Sequence, residues 1–195
     1  MRCLLALVAV LGVVGAAQAV ASEPTTSCDD APLGIICRVG TGKTSPGGAA
    51  NGKASHQGWP AVTGVYWVLT DGGGGVATDR NDELLGQHGD DHLDGGGGDD
   101  IIWGDELPTG NNTWQHDVLL GGTGDDFIYA SHGHNVIKAG AGDDVIHAHY
   151  GRGTVGCGPG HDLVYLSHKR RHKWKVRHCE HITFHSGLTP LTSHG

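Results

Sequence analysis

Between residues 77 and 165 one aliphatic side chain returns at a fixed interval. Leu84, Leu93 and Ile102 lie nine residues apart, and after a step of 17 so do Leu119, Ile128, Ile137, Ile146, Val155 and Val164. Two residues before each stands Asp82, Asp91, Asp100, Asp117, Asp126, Asn135, Asp144, Gly153 or Asp162. Glycines crowd the positions just before the aspartates. Glycine reaches φ > 0 without steric cost, so this pattern predicts short strands, each with one inward apolar residue, joined by tight glycine turns. The register breaks once, at an insertion near "LPTGNNTWQ" (107–115), inside the repeat that starts at Gly104.

Self-similarity at a short period points to a repeat architecture. The unit is Gly-Gly-x-Gly-x-Asp-x-aliphatic-x. Repeat 95–103 (Gly95, Gly96, Gly98, Asp100, Ile102) and repeat 121–129 (Gly121, Gly122, Gly124, Asp126, Ile128) match at every specified position. Repeat 139–147 (Gly140, Gly142, Asp144) and repeat 157–165 (Gly158, Gly160, Asp162) depart only at the first glycine, which is Ala139 or Cys157. Repeats 77–85, 130–138 and 148–156 are degenerate. The unit resembles the RTX, or haemolysin-type, calcium-binding nonapeptide repeat family over about residues 77–165, under half the chain. The resemblance implies an all-β fold, a parallel β-roll (a right-handed β-solenoid), with calcium between successive turns.

The residues suit that reading. Glycine leaves its carbonyls open, and calcium takes several hard oxygen ligands at about 2.3–2.6 Å. Stacked strands sit about 4.8 Å apart, so one ion reaches oxygens of two turns. A bare aspartate row repels itself, and a cation cancels that repulsion. Turn chemistry alone is the rival reading, since Asp and Gly favour turns for local reasons.

One coil of a β-roll takes two repeats, so alternate aspartates share a side. Asp82, Asp100, Asp126, Asp144 and Asp162 form one row; Asp91, Asp117, Asn135 and Gly153 form the other, whose charge fades toward the C-terminus. The expectation is about three structural ions, in the gaps Asp100/Asp126, Asp126/Asp144 and Asp144/Asp162, at one ion per gap. The ligands expected beside the four aspartates are the turn carbonyls. The gaps at Asp82/Asp100 and Asp91/Asp117 are weaker candidates. On the second side His88 and His132 share a turn position, with His134 and His149 nearby. Imidazole suits zinc, copper or nickel, and the alternative is solvated turn histidines in a chain with 15 of them.

The flanks have other chemistry. Residues 1–19, "MRCLLALVAVLGVVGAAQA", read as a signal peptide with Arg2, an apolar stretch and the small-residue site Ala17-Gln18-Ala19. A membrane anchor is the rival, against which the apolar run is short. Four cysteines remain after it: Cys28, Cys37, Cys157 and Cys179. An even count in an exported chain suggests two disulfides with three connectivities, and sequence proximity favours Cys28–Cys37 with Cys157–Cys179. The family resemblance also implies a closing Cys157–Cys179 link. Zinc is the rival, without the usual ligand spacing. Residues 20–76 read as a flexible segment with one strand within "AVTGVYWVLT" (61–70) and a linker, "TDGGGGV" (70–76). Residues 77–165 hold 16 acidic and 3 basic side chains, whereas 166–195 hold 6 basic residues and Glu180. That basic tail reads as a cap on the stack; an anionic-polymer patch (Arg170, Arg171, Lys173, Lys175, Arg177) is the rival, without a nucleic-acid motif.

The outward residues of the first side are apolar and aromatic, including Trp103, Tyr129 and Tyr165. Such a ladder must be covered or used. Cover is expected from residues 61–70 or from the tail, and a flat polysaccharide or a protein is the alternative occupant. No H-E-x-x-H or G-x-S-x-G motif occurs, so a non-enzymatic, secreted calcium-binding protein is expected. No nucleic-acid partner and no transmembrane anchor after signal removal are expected. A recognition module using the aromatic face is the second reading and a small hydrolase the third.

Overall fold

The structure is a computed structural model that describes residues 35–39, 43–44, 59–69, 73–105 and 113–185. The expected signal segment and Cys28, one half of the expected Cys28–Cys37 bridge, fall outside the described residues.

The strands in chain order begin with β1 (Ile35–Val39), β2 (Lys43–Thr44), β3 (Ala61–Val62), β4 (Val65–Leu69), β5 (Gly73–Thr78), β6 (Glu83–Leu85), β7 (Asp91–Gly97) and β8 (Ile101–Trp103). They continue with β9 (His116–Thr123), β10 (Phe127–Tyr129), β11 (His134–Ala141), β12 (Val145–Ala148), β13 (Arg152–Gly156), β14 (Leu163–Ser167), β15 (Trp174–Arg177) and β16 (His181–His185). From β4 onward they alternate between two parallel sheets. One runs β4-β6-β8-β10-β12-β14-β16, with β1 antiparallel on its first edge; the other runs β5-β7-β9-β11-β13-β15. This is a β-solenoid of about six turns, all-β with almost no helix. Among the described residues no helix is long and apolar enough to cross a membrane.

The period-nine aliphatics explain the closure. In the first sheet Leu84, Ile102, Ile128, Ile146 and Val164 stack in register. In the second Leu93, Leu119, Ile137 and Val155 do the same. All nine are at most 1% exposed and share one core with Val65, Trp67, Leu69 and Trp174. Each such burial is worth about 1.5–3 kcal/mol. Across the step of 17 that contains the insertion, the strands on either side keep the register of the stack.

The stack extends past the expected limits of 77–165 at both ends. Residues 73–76, expected as linker, belong to β5 and pair in parallel with β7. The strand expected within 61–70 is β4, which adds to the first sheet edge beside β6 instead of lying over the aromatic face. The basic tail ends the roll by becoming one more coil: β15 pairs with β13 and β16 with β14. Val176 and Ile182 keep the register of the two aliphatic columns, Val176 partly buried against the core and Ile182 exposed on the end coil. Nine-residue counting stopped at Val164 because the loop after β14 is longer and its residues are charged.

Candidate metal centre

The full glycine turns all lie at one end of the roll, where a second-sheet strand crosses to the first sheet. There Gly96, Gly122, Gly140 and Gly158 stack, as do Gly98, Gly124, Gly142 and Gly160, all with positive φ. A Cβ on Gly122 would overlap the carbonyl of Gly96, and one on Gly140 the carbonyl of Gly122. Only glycine lets these turns approach so closely, and the approach stacks backbone carbonyls along the roll.

The aspartate after each turn is buried. Asp100, Asp126, Asp144 and Asp162 are each 0% exposed. Their Oδ1 atoms form a ladder. Asp100 Oδ1 accepts from the N–H of Asp82 (2.7 Å), Asp126 from Asp100 (2.8 Å), Asp144 from Asp126 (2.9 Å) and Asp162 from Asp144 (3.0 Å). The Oδ2 atoms of the same four residues are buried and accept no hydrogen bond within the protein. At Gly95 a Cβ would overlap Asp100 Oδ2 and come within 2.6 Å of the Gly121 carbonyl; at Gly121 it would overlap Asp126 Oδ2 and the Ala139 carbonyl. The unpaired carboxylate oxygen of one turn therefore faces a carbonyl of the next.

Burial is the main force on these carboxyls. It pushes Asp100 up to about 10, Asp126 to about 8 and Asp144 to about 7, and it raises Asp162. Neighbouring carboxylates add to the rise, and the backbone N–H on Oδ1 opposes it. A buried oxygen without a partner costs about 1–3 kcal/mol, and more when charged. Four in one row rival the net stability of a whole domain, about 5–15 kcal/mol. A hard dication relieves both the missing partners and the mutual repulsion, and these oxygens suit one.

Residues 76–106 and 110–151 match the RTX calcium-binding nonapeptide repeat, in four copies. The chain carries RTX calcium-binding repeats. No curated protein and no solved structure matches it. The fold and the matched repeats make it a calcium-binding β-roll in general terms.

Not every aspartate of the RTX row is alike. Asp82 has both oxygens engaged: its carboxylate accepts from the Val65 N–H, and from the Thr78 N–H (2.8 Å) and hydroxyl (2.9 Å). Burial raises it only to about 6, because these donors oppose the desolvation. A second row follows the first aspartate of each Asp-Asp pair. Asp99 Oδ1 accepts from Asp125 N–H (2.9 Å), Asp125 from Asp143 (2.7 Å) and Asp143 from His161 (2.8 Å). That row is partly or wholly exposed, and the nonapeptide pattern, which leaves this position unspecified, gave no reason to look for it.

The opposite end of the RTX roll is built differently. Asp117 Oδ1 accepts from the Asp91 N–H (2.9 Å), continuing the ladder geometry. Its Oδ2, however, accepts from the Ser131 hydroxyl, which lies 2.6 Å from Asn135 Oδ1. Ser131 is fully buried and stands where a Cβ on Gly104 would go. Asp117 rises only to about 6, burial being partly offset by that hydroxyl. Asp91 is buried beside Gly86 and the Gly104 carbonyl. Gly153 supplies no side chain. Ser131 was invisible to the repeat pattern because its repeat is degenerate.

The histidines singled out on the second side have the following ring neighbours. His132 stacks on Tyr150 (4.6 Å) and lies 3.4 Å from Asp105. His134 packs near His116 (5.5 Å), while His149 sits with His147 and Tyr165. His147 and Tyr165 stack on the other sheet, so the expected place of His149 beside His132 is corrected: the turn at 148–151 brings it round to the first-sheet face. Among the described residues no group of three or more His, Cys, Asp or Glu side chains gathers as a metal site.

On that face Trp103, Tyr129, His147 and Tyr165 form one stacked column, with centroid spacings of 4.3, 4.6 and 4.6 Å. Trp59 packs edge-on against Trp103 and Tyr129 and donates its indole N–H to the Tyr129 hydroxyl (2.8 Å). Cover over the first two rings thus comes from Trp59, ahead of the segment expected to supply it. The ring faces of the column meet each other, and sugar stacking needs a free face.

Cys157 and Cys179 form a disulfide, Cα–Cα 5.2 Å. Cys157 occupies the first-glycine position of its repeat, so the link ties the last full glycine turn to the terminal coil.

Proposed function

We propose that the protein is an exported calcium-binding β-roll whose ions sit between successive glycine turns, and that binding them folds and stabilises it. The carrying observation is the row of buried Oδ2 atoms at Asp100, Asp126, Asp144 and Asp162 that accept no hydrogen bond within the protein. Oδ2 of each, with carbonyls of the glycine turns beside it, would hold the ion. The expected complement along the gaps from Asp100 to Asp162 is about three ions, by one ion per gap. Calcium supplies charge neutralisation and coordination there, and the chain supplies shape. Because the cages exist only in the stacked state, binding energy becomes folding energy. Export is supported by the signal-like start of the chain and by the Cys157–Cys179 bridge, which needs an oxidising compartment. The role is structural, with no catalytic constellation assigned.

The test is far-UV circular dichroism of the mature, disulfide-intact chain, chelated and then titrated with calcium. A coil-to-β transition that an Asp126→Ala, Asp144→Ala double variant lacks is the expected result. An unchanged β spectrum in chelator, with no calcium taken up, overturns the proposal.

A further inference from the structure

The aspartate ladder continues one step beyond the last glycine turn. The N–H of Asp162 donates to Glu180 Oε2 at 3.0 Å, across 18 residues. The step from Asp126 to Asp144 and the step from Asp144 to Asp162 are made in the same way and also span 18 residues. Glu180 therefore occupies the ladder position of the terminal coil, although no glycine-rich repeat surrounds it.

The turn that carries it is cut short. Gly158 N–H bonds the His178 carbonyl as Gly140 N–H bonds that of Cys157, so His178 stands where Cys157 stood one coil earlier. Only Cys179 then separates His178 from Glu180, whereas Gly158–His161 separate Cys157 from Asp162. His178 takes positive φ (53°), the conformation that glycines supply elsewhere. The disulfide joins Cys179 to Cys157, so the residue next to Glu180 is covalently fixed to the turn below.

Facing this short turn is Asp162. It is fully buried, its Oδ1 is taken by the Asp144 N–H, and its Oδ2 accepts no hydrogen bond within the protein. Glu180 is exposed on the end coil, and its Oε2 comes to 3.0 Å from the Asp162 backbone nitrogen, which brings the second carboxylate beside Asp162. A buried oxygen without a donor beside a second carboxylate needs a cation more than a further hydrogen bond.

We propose that Asp162 and Glu180 form a terminal calcium site, distinct from the glycine cages, whose geometry is held by the Cys157–Cys179 disulfide. It rests on the calcium reading of the ladder above. With the turn glycines missing, the site offers fewer protein oxygens, leaves more of the coordination to water, and binds more weakly than the cages. Its occupancy depends on the redox state of the bridge, because reduction frees the short turn that presents Glu180.

The test is native mass spectrometry of the mature chain with limiting and saturating calcium, joined to calorimetric titration after chelation. It compares the oxidised wild type, the reduced wild type, E180Q and D126N. The expected result is that E180Q keeps the coil-to-β transition and loses one ion, the weakest class, and that reduction does the same. An unchanged ion count and affinity in E180Q, with a reduced count in D126N, overturns the terminal site and leaves the ladder reading standing. No calcium uptake by the wild type overturns both. If E180Q does not fold in saturating calcium, the reduced wild type decides: loss of one ion of the weakest class supports the site, and an unchanged count and affinity overturn it.

Discussion

At one end of the roll Asp100, Asp126, Asp144 and Asp162 each keep a buried oxygen that no protein donor reaches. At the other end the equivalent oxygen of Asp117 accepts from Ser131, and Asn135 and Gly153 replace the later aspartates. The strands leading into both ends stack in the same parallel register, so strand pairing does not distinguish them. What differs is how the space between turns is filled. The Ser131 hydroxyl supplies Asp117 with a protein donor at one end, whereas the four carboxylates at the other end have acceptors in excess of donors. A buried aspartate in a repeat turn is therefore not by itself a metal ligand; the missing donor is the informative feature.

The sharpest break in that comparison is a change of charge at the first end. Asp126→Asn keeps an oxygen for the Asp100 N–H and removes the negative charge. The calcium midpoint for folding should rise by roughly tenfold or more, since affinity follows ligand charge, while stability in chelator stays equal or improves. Calcium titration followed by circular dichroism reads this directly.

Next in size is the effect of pH in chelator. The folded carboxyls of Asp144 and Asp126 are raised to about 7 and about 8, above their unfolded values. The folded state then holds protons more tightly than the unfolded one. The stability contributed is fully present below the unfolded range near 4 and is lost as pH rises through about 7 to 8. The chelated protein should become more stable on acidification from pH 8 to 5. With saturating calcium the trend should reverse, because protons then compete with the ion. The β content read by circular dichroism across pH, with and without calcium, would show parallel trends if the ladder does not bind calcium.

Ser131→Ala probes the opposite end. It removes the donor to Asp117 and should cost about 1–3 kcal/mol. The loss should be of similar size at low and at saturating calcium, because no ion is assigned there; urea unfolding at two calcium concentrations that both fold the chain measures it. The smallest effect is expected for Asp125→Asn, one residue from Asp126. Asp125 is exposed and its one contact, from the Asp143 N–H, survives in asparagine. Stability and the calcium midpoint should move by no more than about 0.5 kcal/mol. A large shift would mean that the outer aspartate row also holds the ion.

Much of this was legible in the chain because the repeat is strict where it matters. Period-nine aliphatics can be buried together only if each repeat contributes one short strand, so Leu84 to Val164 announced the core. Two repeats per coil also sorted Asp100, Asp126, Asp144 and Asp162 onto one side. Legibility failed where residues keep the position and lose the motif. Glu180 and Ile182 lie 18 residues beyond Asp162 and Val164, the same two-repeat step, but charged residues and a short turn hide the coil. Residues 73–76 look like a linker because strand pairing with β7 needs backbone groups and not apolar side chains.

The sequence by itself determined the repeat through its local spacing, and the family that the repeat resembles implied the parallel roll and with it the side on which negative charge accumulates. Which carboxylate oxygens remain without a donor was decided only in the folded stack. That depends on atoms from other coils: Thr78 and Val65 on Asp82, Ser131 on Asp117, and the next coil's turn beside Asp126. Spacing along one chain sets which residues share a column, but the donors that complete or starve a buried oxygen come from across it.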